Sequence, residues 1–373
     1  MAEYREVTPI AGPEAFQSAG RDAELSQAAI VLSAGVAVGG RSDRIDRPEA
    51  LGLPEGLRGI GRAEKFPVGE AAAALDLDLG THLGDRALRL PASASVELTR
   101  QLIERPAAST AAALVEANLH SDSVLVRTSA AVAALETTGA REDVLDRLVQ
   151  GARSRDPLTR EIGRIGVARV APQHAVLRRL VLQPGPRPAP AGAAAGGVAV
   201  LTHGTFAANT RWWQPGGSLY SYLDALVPAL NLNDPSFRWS GQYSDGARQL
   251  AAQQLLDWTA GLGQQRPDVF AHSHGGTVAH LATRRGQQID RLVLMSWPVH
   301  EQWFPDFTKV RTVIDIRVHV DLVILADRGG QRFTAPAASR ATVVSHVHGW
   351  FNHGDTNDPG YWDRYGLPAA IRV

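Results

Sequence analysis

A serine among small residues, in the segment Ala271-His272-Ser273-His274-Gly275, is the part of the chain best suited to covalent chemistry. A short apolar run precedes it and a helix-compatible stretch, 277–285, follows it. A strand, a sharp turn and a helix in succession lift a serine hydroxyl off the end of a sheet, and the strained turn needs small neighbours such as Ala271 and Gly275. A serine becomes a nucleophile when a base takes its proton and a third group orients that base. The sequence therefore predicts Ser273 as a nucleophile.

The segment resembles the nucleophile elbow of the α/β-hydrolases, with Ala271 in place of the first glycine of that motif. The resemblance is to the carboxylesterases and lipases of this superfamily and covers about half of the chain. It implies the chain order Ser, acid, His, with each residue at the carboxyl end of a strand. It also implies cleavage of small-molecule or lipid esters through an acyl-enzyme, with no organic cofactor and no metal.

Four aspartates follow the elbow and are candidates for the acid: Asp306, Asp315, Asp321 and Asp327. Asp321 comes just after a predicted strand, 312–318, where the family places its acid, and its Asp-x-Val continuation resembles the family's loop. Asp327 is the second choice, although beside two glycines it also fits an ordinary turn residue. Asp315 falls within the alternating strand, and Asp306 lies in the irregular stretch before it.

Three histidines near the last predicted strand are candidates for the base. His346 and His348 alternate within or just after that strand, while His353 lies in a loop rich in Gly, Asn, Asp and Pro. The run Asn-His-Gly-Asp-x-x-Asp-Pro-x-x-Trp that contains His353 resembles the histidine loop of a bacterial group of esterase-like and lipase-like proteins. His353 is therefore favoured, with His348 second.

The loop His203-Gly204-Thr205-Phe206 follows a predicted strand, 198–202, and matches the His-Gly pattern of the family. The resemblance implies that the backbone N–H groups of Thr205 and His274 stabilise the developing oxyanion. His203, Trp212 and Trp213 are predicted to face the substrate, because tryptophans that follow strands lie near the ligand crevice of a parallel sheet.

Two other functions remain open. The pairs His272-x-His274 and His346-x-His348, together with aspartates, could form a metal site of a metal-dependent hydrolase. A sharp turn at Ser273 argues against this metal site, because it would point the imidazoles of His272 and His274 in different directions. Alternatively, the hydrolase region could be an inactive scaffold, with the helical half binding a protein partner.

The elements that must position these residues fall into regions of different character. Residues 198–373 alternate strands and helices, which predicts an α/β fold with five or six central strands in a parallel sheet and helices on both faces. A Pro/Ala/Gly-rich tract at 184–197 is predicted to be a linker. Residues 91–183 are predicted to form a helical domain, and 1–90 a small mixed α/β region.

The helical region contains two imperfect copies of one pattern. Helical segments predicted at 124–135 and 158–170 each begin near an aspartate and carry an early arginine, Arg127 and Arg160, about 33 residues apart. This resembles HEAT-like helical repeats, which present a surface for a protein partner. An irregular helical bundle is the alternative.

Composition narrows the function further. The chain has 38 basic and 38 acidic residues among its 373, so no net charge favours nucleic acid as a partner. It has no cysteine, which excludes disulfides and thiolate catalysis.

We expect a cytoplasmic protein, because no run is long enough to cross a membrane and the acidic N-terminus does not suit a signal peptide. The preference for Arg over Lys, with much Ala and Gly, is typical of a GC-rich bacterial genome.

Overall fold

The computed structural model describes residues 4–7, 19–38, 92–105, 107–182, 198–226, 231–232, 237–263, 266–333 and 342–371. The predicted linker at 184–197 and most of the predicted region 1–90 lie outside these ranges. The chain divides into two compact units. The sheet unit comprises Met1–Pro13, Leu177–Asp321 and Phe333–Val373, and the helical unit comprises Glu14–Val176 and Leu322–Arg332.

The sheet unit is built on a seven-stranded sheet in which every neighbouring pair is parallel. Its strands are β1 (Tyr4–Val7), β2 (Val198–Thr202), β3 (Asn231–Leu232), β4 (Asp268–His272), β5 (Ile289–Met295), β6 (Val310–Arg317) and β7 (Thr342–Val347). Their order across the sheet is β1-β7-β6-β5-β4-β2-β3. The sequence did not predict β1, which extends the sheet at the β7 edge, or β3, which pairs with β2 at the opposite edge.

Helices cover both faces of this sheet: α8 (Ser218–Leu226), α9 (Asp245–Gly261), α10 (His274–Arg284), α12 (Pro359–Arg364) and α13 (Pro368–Ile371). Because side chains alternate along a strand, β4 feeds both cores. Val269 and Ala271 pack into the core formed with α9 and α10, whereas Phe270 packs into the core formed with α8, α12 and α13. The predicted fold class, a parallel α/β sheet with helices on both faces preceded by a mostly helical region, is confirmed.

The strand order determines where a ligand crevice forms. From β2 the chain moves outward to β3, and it then returns to β4 and continues in the opposite direction through β5, β6 and β7. In open parallel sheets, ligands bind at the carboxyl ends of the strands where the order reverses. In this sheet that point lies between β2 and β4, whose carboxyl ends lead into His203 and Ser273.

The helical unit contains α1 (Ala19–Val38), α2 (Ala92–Glu104), α3 (Ala108–Asn118), α4 (Val124–Thr137), α5 (Glu142–Ala152), α6 (Pro157–Val170) and α11 (Leu322–Asp327). The short helix α7 (Ala175–Arg178) crosses the boundary between the units. Helices α4 and α6 begin alike: Ser123 and Asp156 cap them, and Arg127 and Arg160 each donate to the carbonyl of the residue six positions earlier. The HEAT-like assignment itself stays a prediction.

The units differ from the predicted regions at several places, since β1 and residues 177–182 belong to the sheet unit. Helix α1 packs against α3 and α4, so it belongs with the helices and not with a separate N-terminal region. Helix α11, from the part predicted as catalytic, packs against α6 and α1, and Arg169 Nη1 donates to its Ala326 carbonyl at 3.2 Å. Within the described parts of the chain, no helix combines the length and apolar character needed to cross a bilayer.

Candidate active site

Ser273 occupies a strained turn between β4 and α10. Its backbone has φ 52° and ψ −134°, a conformation that L-residues rarely adopt and that is found mainly where surrounding structure enforces it. The surrounding structure includes β5, because the Ser273 N–H donates to the Met295 carbonyl at 2.8 Å. Backbone strain of this kind clusters at functional sites, and the turn is the strand-to-helix elbow that the sequence predicted.

Glycine after the serine is a steric requirement. A Cβ placed on Gly275 would lie 2.7 Å from the His203 carbonyl oxygen and 2.8 Å from that of Thr202. Both atoms belong to the backbone at the end of β2, so they cannot move aside cheaply. The close approach of β2 to the start of α10 therefore explains the small residue at this position.

The loop after β2 lies directly against the serine. A Cβ on Gly204 would lie 2.7 Å from Ser273 Cβ and 3.3 Å from Ser273 Oγ. Two residues on, the Phe206 N–H donates to the Gly241 carbonyl at 2.8 Å, and Phe206 has a positive φ of 59°. Thr205 lies between these two fixed points. Its N–H and that of His274, the first residue of α10, are carried by the two segments that meet at the serine.

His353 and Asp321 form a buried pair. His353 Nδ1 lies 2.8 Å from Asp321 Oδ2, and their side chains are only 4% and 2% exposed. Asp321 follows β6 and forms a β-bridge with Phe351, which brings the two loops together. A carboxylate accepts hydrogen bonds, so it favours the proton on Nδ1 and leaves Nε2 of the imidazole as the basic atom.

Hydrogen bonds of Thr356 hold the loop that carries His353 in place. Thr356 Oγ1 donates to Ser296 Oγ at 3.0 Å, and the Trp362 indole N–H donates to the Thr356 carbonyl at 2.8 Å. Ser296 follows β5 and is buried with a positive φ of 48°. Nearby, burial raises the pKa of the Asp355 carboxyl to about 6. The imidazole is thus held by the sheet edge as well as by its carboxylate.

His272, the residue before the serine, connects the nucleophile to the base. Its ring centroid lies 4.8 Å from that of His353, and its Nε2 is 3.3 Å from the His353 carbonyl oxygen. Burial, with the neighbouring His353, lowers the pKa of His272 well below its usual value, so it is neutral and can donate to that carbonyl. Sequence reasoning missed this role, although the position of His272 beside Ser273 was a usable signal.

The alternative acids and base lie elsewhere. Asp327 is in α11 of the helical unit, Asp315 is buried beside Arg317 and accepts from Ser345 Oγ at 2.9 Å, and Asp306 accepts from the Thr308 N–H at 3.0 Å. The ring of His348 stacks on Tyr365 at 4.7 Å. Of these candidates, only Asp321 and His353 are brought together.

Two of the three residues predicted to contact substrate differ from that prediction. His203 and Trp213 are 0% and 1% exposed, so they have no surface to offer a ligand. The His203 ring lies 4.5 Å from Trp213 and stacks at 5.5 Å on Trp239, and this packing holds the loop after β2. The sequence shows that His203 and Trp213 follow a strand, but it does not show in which direction their side chains point. Trp212 is partly exposed and contacts the edge of His272 at 5.4 Å.

The histidine pairs do not converge on a metal site. His272 Nε2 is directed to the His353 carbonyl, whereas His274 Nε2 lies 3.0 Å from the Arg248 guanidinium. A guanidinium only donates, so it competes with a metal for the same lone pair. Among the described residues, no group of three or more His, Asp or Glu side chains is arranged to hold a metal ion.

Comparison with known proteins adds little to this geometry. No protein-family model matches the chain, and a search of curated proteins finds no match. Among solved structures, the chain is similar to one from Agrobacterium vitis S4 named "Putative hydrolase". The two share 13% identity with a TM-score of 0.31, over 49% of this chain and 91% of that one. A likeness at this level does not assign a function to the chain.

Proposed function

We propose that the chain is a serine hydrolase that cleaves carboxylic esters through an acyl-enzyme. Ser273 is the nucleophile, His353 is the base, and Asp321 orients it. The observation that carries the proposal is the buried His353–Asp321 hydrogen bond of 2.8 Å in a loop whose histidine also contacts His272, the neighbour of Ser273. The strained serine, its base and its acid follow three different strands, β4, β7 and β6, in the chain order Ser, acid, His of the α/β-hydrolases.

In the first half-reaction, Ser273 Oγ attacks the ester carbonyl while His353 Nε2 takes its proton. The imidazolium that forms is stabilised by the Asp321 carboxylate, which remains ionised. The proton then passes from His353 to the leaving alcohol as the tetrahedral intermediate collapses to the acyl-enzyme. In the second half-reaction, His353 activates a water molecule in the same way, and the acid leaves from Ser273.

The negative charge that develops on the carbonyl oxygen needs donors that are in place before the reaction. The N–H of His274 suits this role, because the first N–H groups of a helix have no partner within it and carry the positive end of the helix dipole. The Thr205 N–H approaches from the loop after β2. Removing one such donor typically costs about 10²–10³ in kcat.

The proposal is tested by steady-state hydrolysis of p-nitrophenyl acetate and butyrate by the full-length chain. We expect Ser273→Ala to fall to the background rate, and Asp321→Asn to lose about 10⁴-fold in kcat, because it favours the wrong tautomer of His353. Asp306→Asn is the matched control and should retain nearly full activity, since Asp306 accepts only from its own turn. Undiminished hydrolysis by Ser273→Ala, or activity abolished by a chelator, would contradict the proposal.

A further inference from the structure

A buried arginine stands next to the serine elbow. Arg248 lies in the first turn of α9, and its side chain is only 3% exposed. Its guanidinium carbon is 4.9 Å from the ring centre of Tyr243 and 4.7 Å from that of Trp303, so aromatic rings enclose the cation. Its ion-pair partner, Asp245 at 2.9 Å, has a side chain that is 73% exposed.

This position does not favour an arginine on helix stability alone. A cation in the first turn opposes the positive end of the helix dipole. Removing a guanidinium from water raises its free energy. The ion pair with the exposed Asp245 carboxylate offsets little of this desolvation free energy, because solvent screens the interaction. The compensation must come from what the guanidinium contacts inside the protein.

That contact is the residue after the nucleophile. Arg248 Nη2 lies 3.0 Å from His274 Nε2. Because a guanidinium has no acceptor, Nε2 must be the unprotonated nitrogen of the imidazole. The proton is then on Nδ1, which lies 3.1 Å from Thr277 Oγ1, and this oxygen also accepts from the Trp297 indole N–H at 3.1 Å.

The imidazole is also enclosed on its faces. His300 stacks on it with a centroid distance of 6.1 Å, and the rings of Trp303 and Tyr243 meet it edge-on at 5.5 and 5.9 Å. The charged and titratable groups around this ring include Arg248, His300 and Tyr243, with Asp245 as the ion-pair partner of Arg248. Protonating Nε2 would place two cations 3.0 Å apart, so the ring has one charge state and one tautomer available.

We propose that Arg248 is a positioning residue for oxyanion stabilisation. Through His274 Nε2 it fixes the imidazole as the neutral Nδ1–H tautomer, and the fixed side chain orients the His274 backbone N–H toward the carbonyl oxygen of an ester bound at Ser273. This rests on the proposed function, because the oxyanion forms only when Ser273 attacks an ester carbonyl. Arg248 touches neither substrate nor the reacting atoms.

The kinetic test compares Arg248→Met, which keeps the length of the side chain without its donors, with Arg248→Lys, which keeps the charge. Arg311→Met is the control, because Arg311 forms an exposed ion pair with Asp290. We expect Arg248→Met to lower kcat at least tenfold with KM within threefold. It should weaken inhibition by phenylboronic acid, a tetrahedral oxyanion mimic, by a similar factor. Arg248→Lys should recover part of both, and Arg311→Met should match the unaltered chain.

A second readout does not depend on activity. Nitrogen-15 NMR of the full chain should show His274 as the neutral Nδ1–H tautomer, with the signal assigned by its loss in His274→Gln. In Arg248→Met we expect a mixture of tautomers. If the unaltered chain hydrolyses no ester but the tautomer is as stated, the proposed function fails while the contact stands.

Three results would overturn the proposal. One is an unchanged kcat in a folded Arg248→Met protein. Another comes from a double-mutant cycle: if Arg248→Met lowers kcat equally in the presence and absence of the His274→Gln change, Arg248 does not act through His274. A predominantly Nε2–H tautomer in the unaltered chain would also refute it.

Discussion

Replacing Gly204 by alanine tests how closely the loop after β2 approaches the nucleophile. The added Cβ would lie 2.7 Å from Ser273 Cβ, 3.1 Å from the His272 carbonyl oxygen and 3.3 Å from Ser273 Oγ. Carbon atoms in contact are normally about 3.5–4.0 Å apart, so the loop or the serine must move by roughly 1 Å. A misplacement of this size at a reacting centre can cost about 10²-fold in rate.

We therefore expect Gly204→Ala to lower kcat/KM for p-nitrophenyl esters by about 10²-fold. The free energy of unfolding should fall by only about 1–3 kcal/mol, as for other overpacked sites. Gly246→Ala is the matched control, because a Cβ there meets nothing within 4 Å and the residue lies in the first turn of α9. It should leave the rate unchanged.

The assay measures kcat/KM alongside urea unfolding for both variants, so that a loss of rate can be separated from a loss of folded protein. If Gly204→Ala is folded and as active as Gly246→Ala, the loop is not in contact with the nucleophile. The assignment of the Thr205 N–H to the oxyanion would then be wrong.

Two further predictions concern stability. Burial lowers the pKa of His203 to about 4 from its usual 6.5, so the unfolded chain binds a proton that the folded chain excludes between these values. This stability is therefore present above pH 6.5 and lost as the pH falls toward 4, by about 2–3 kcal/mol, and His203→Gln should reduce that loss in urea unfolding. An unaltered pH dependence would refute this prediction. Deleting residues 1–176 removes α1 and α6, against which the buried apolar residues of α11 pack, so we expect aggregation in size-exclusion chromatography. A monomeric, folded product would contradict this.

Much of the candidate site could be predicted from the sequence, because its signals are local. The elbow at Ser273 needs a strand, a small-residue turn and a helix in succession, and all three lie within residues 268–284. Asp321 and His353 follow strands whose apolar runs are distinct, so their place at the sheet edge could be inferred. The structure brings those two together, whereas the ring of His348 stacks on Tyr365.

What the sequence could not supply depends on contacts between distant segments. Nothing near residues 4–7 shows that they pair with β7 more than 300 residues later. The apolar run 322–326 predicts a buried segment, but its sequence does not show which of the two units it packs into. His203 and Trp213 follow a strand, as a substrate-facing residue would, but the inward direction of their side chains depends on Trp239.

The same limit applies to the two histidines beside the serine. His272 and His274 flank the serine, but their partners are 81 and 26 residues away in the chain. A histidine pair with this spacing is compatible with a metal site until the direction of each ring is known. Hydrogen-bond partners, which only the folded chain provides, separate the two interpretations.

Covalent labelling of the full-length chain with a fluorophosphonate, followed by peptide mass spectrometry, tests the triad most directly. A fluorophosphonate reacts only with a serine whose base is in place, so we expect the label on the peptide that contains Ser273. Labelling should be absent in Ser273→Ala and at least 10²-fold slower in His353→Ala. A folded chain that takes no label, or a label on another residue that persists in Ser273→Ala, would contradict the assignment of Ser273 as the nucleophile.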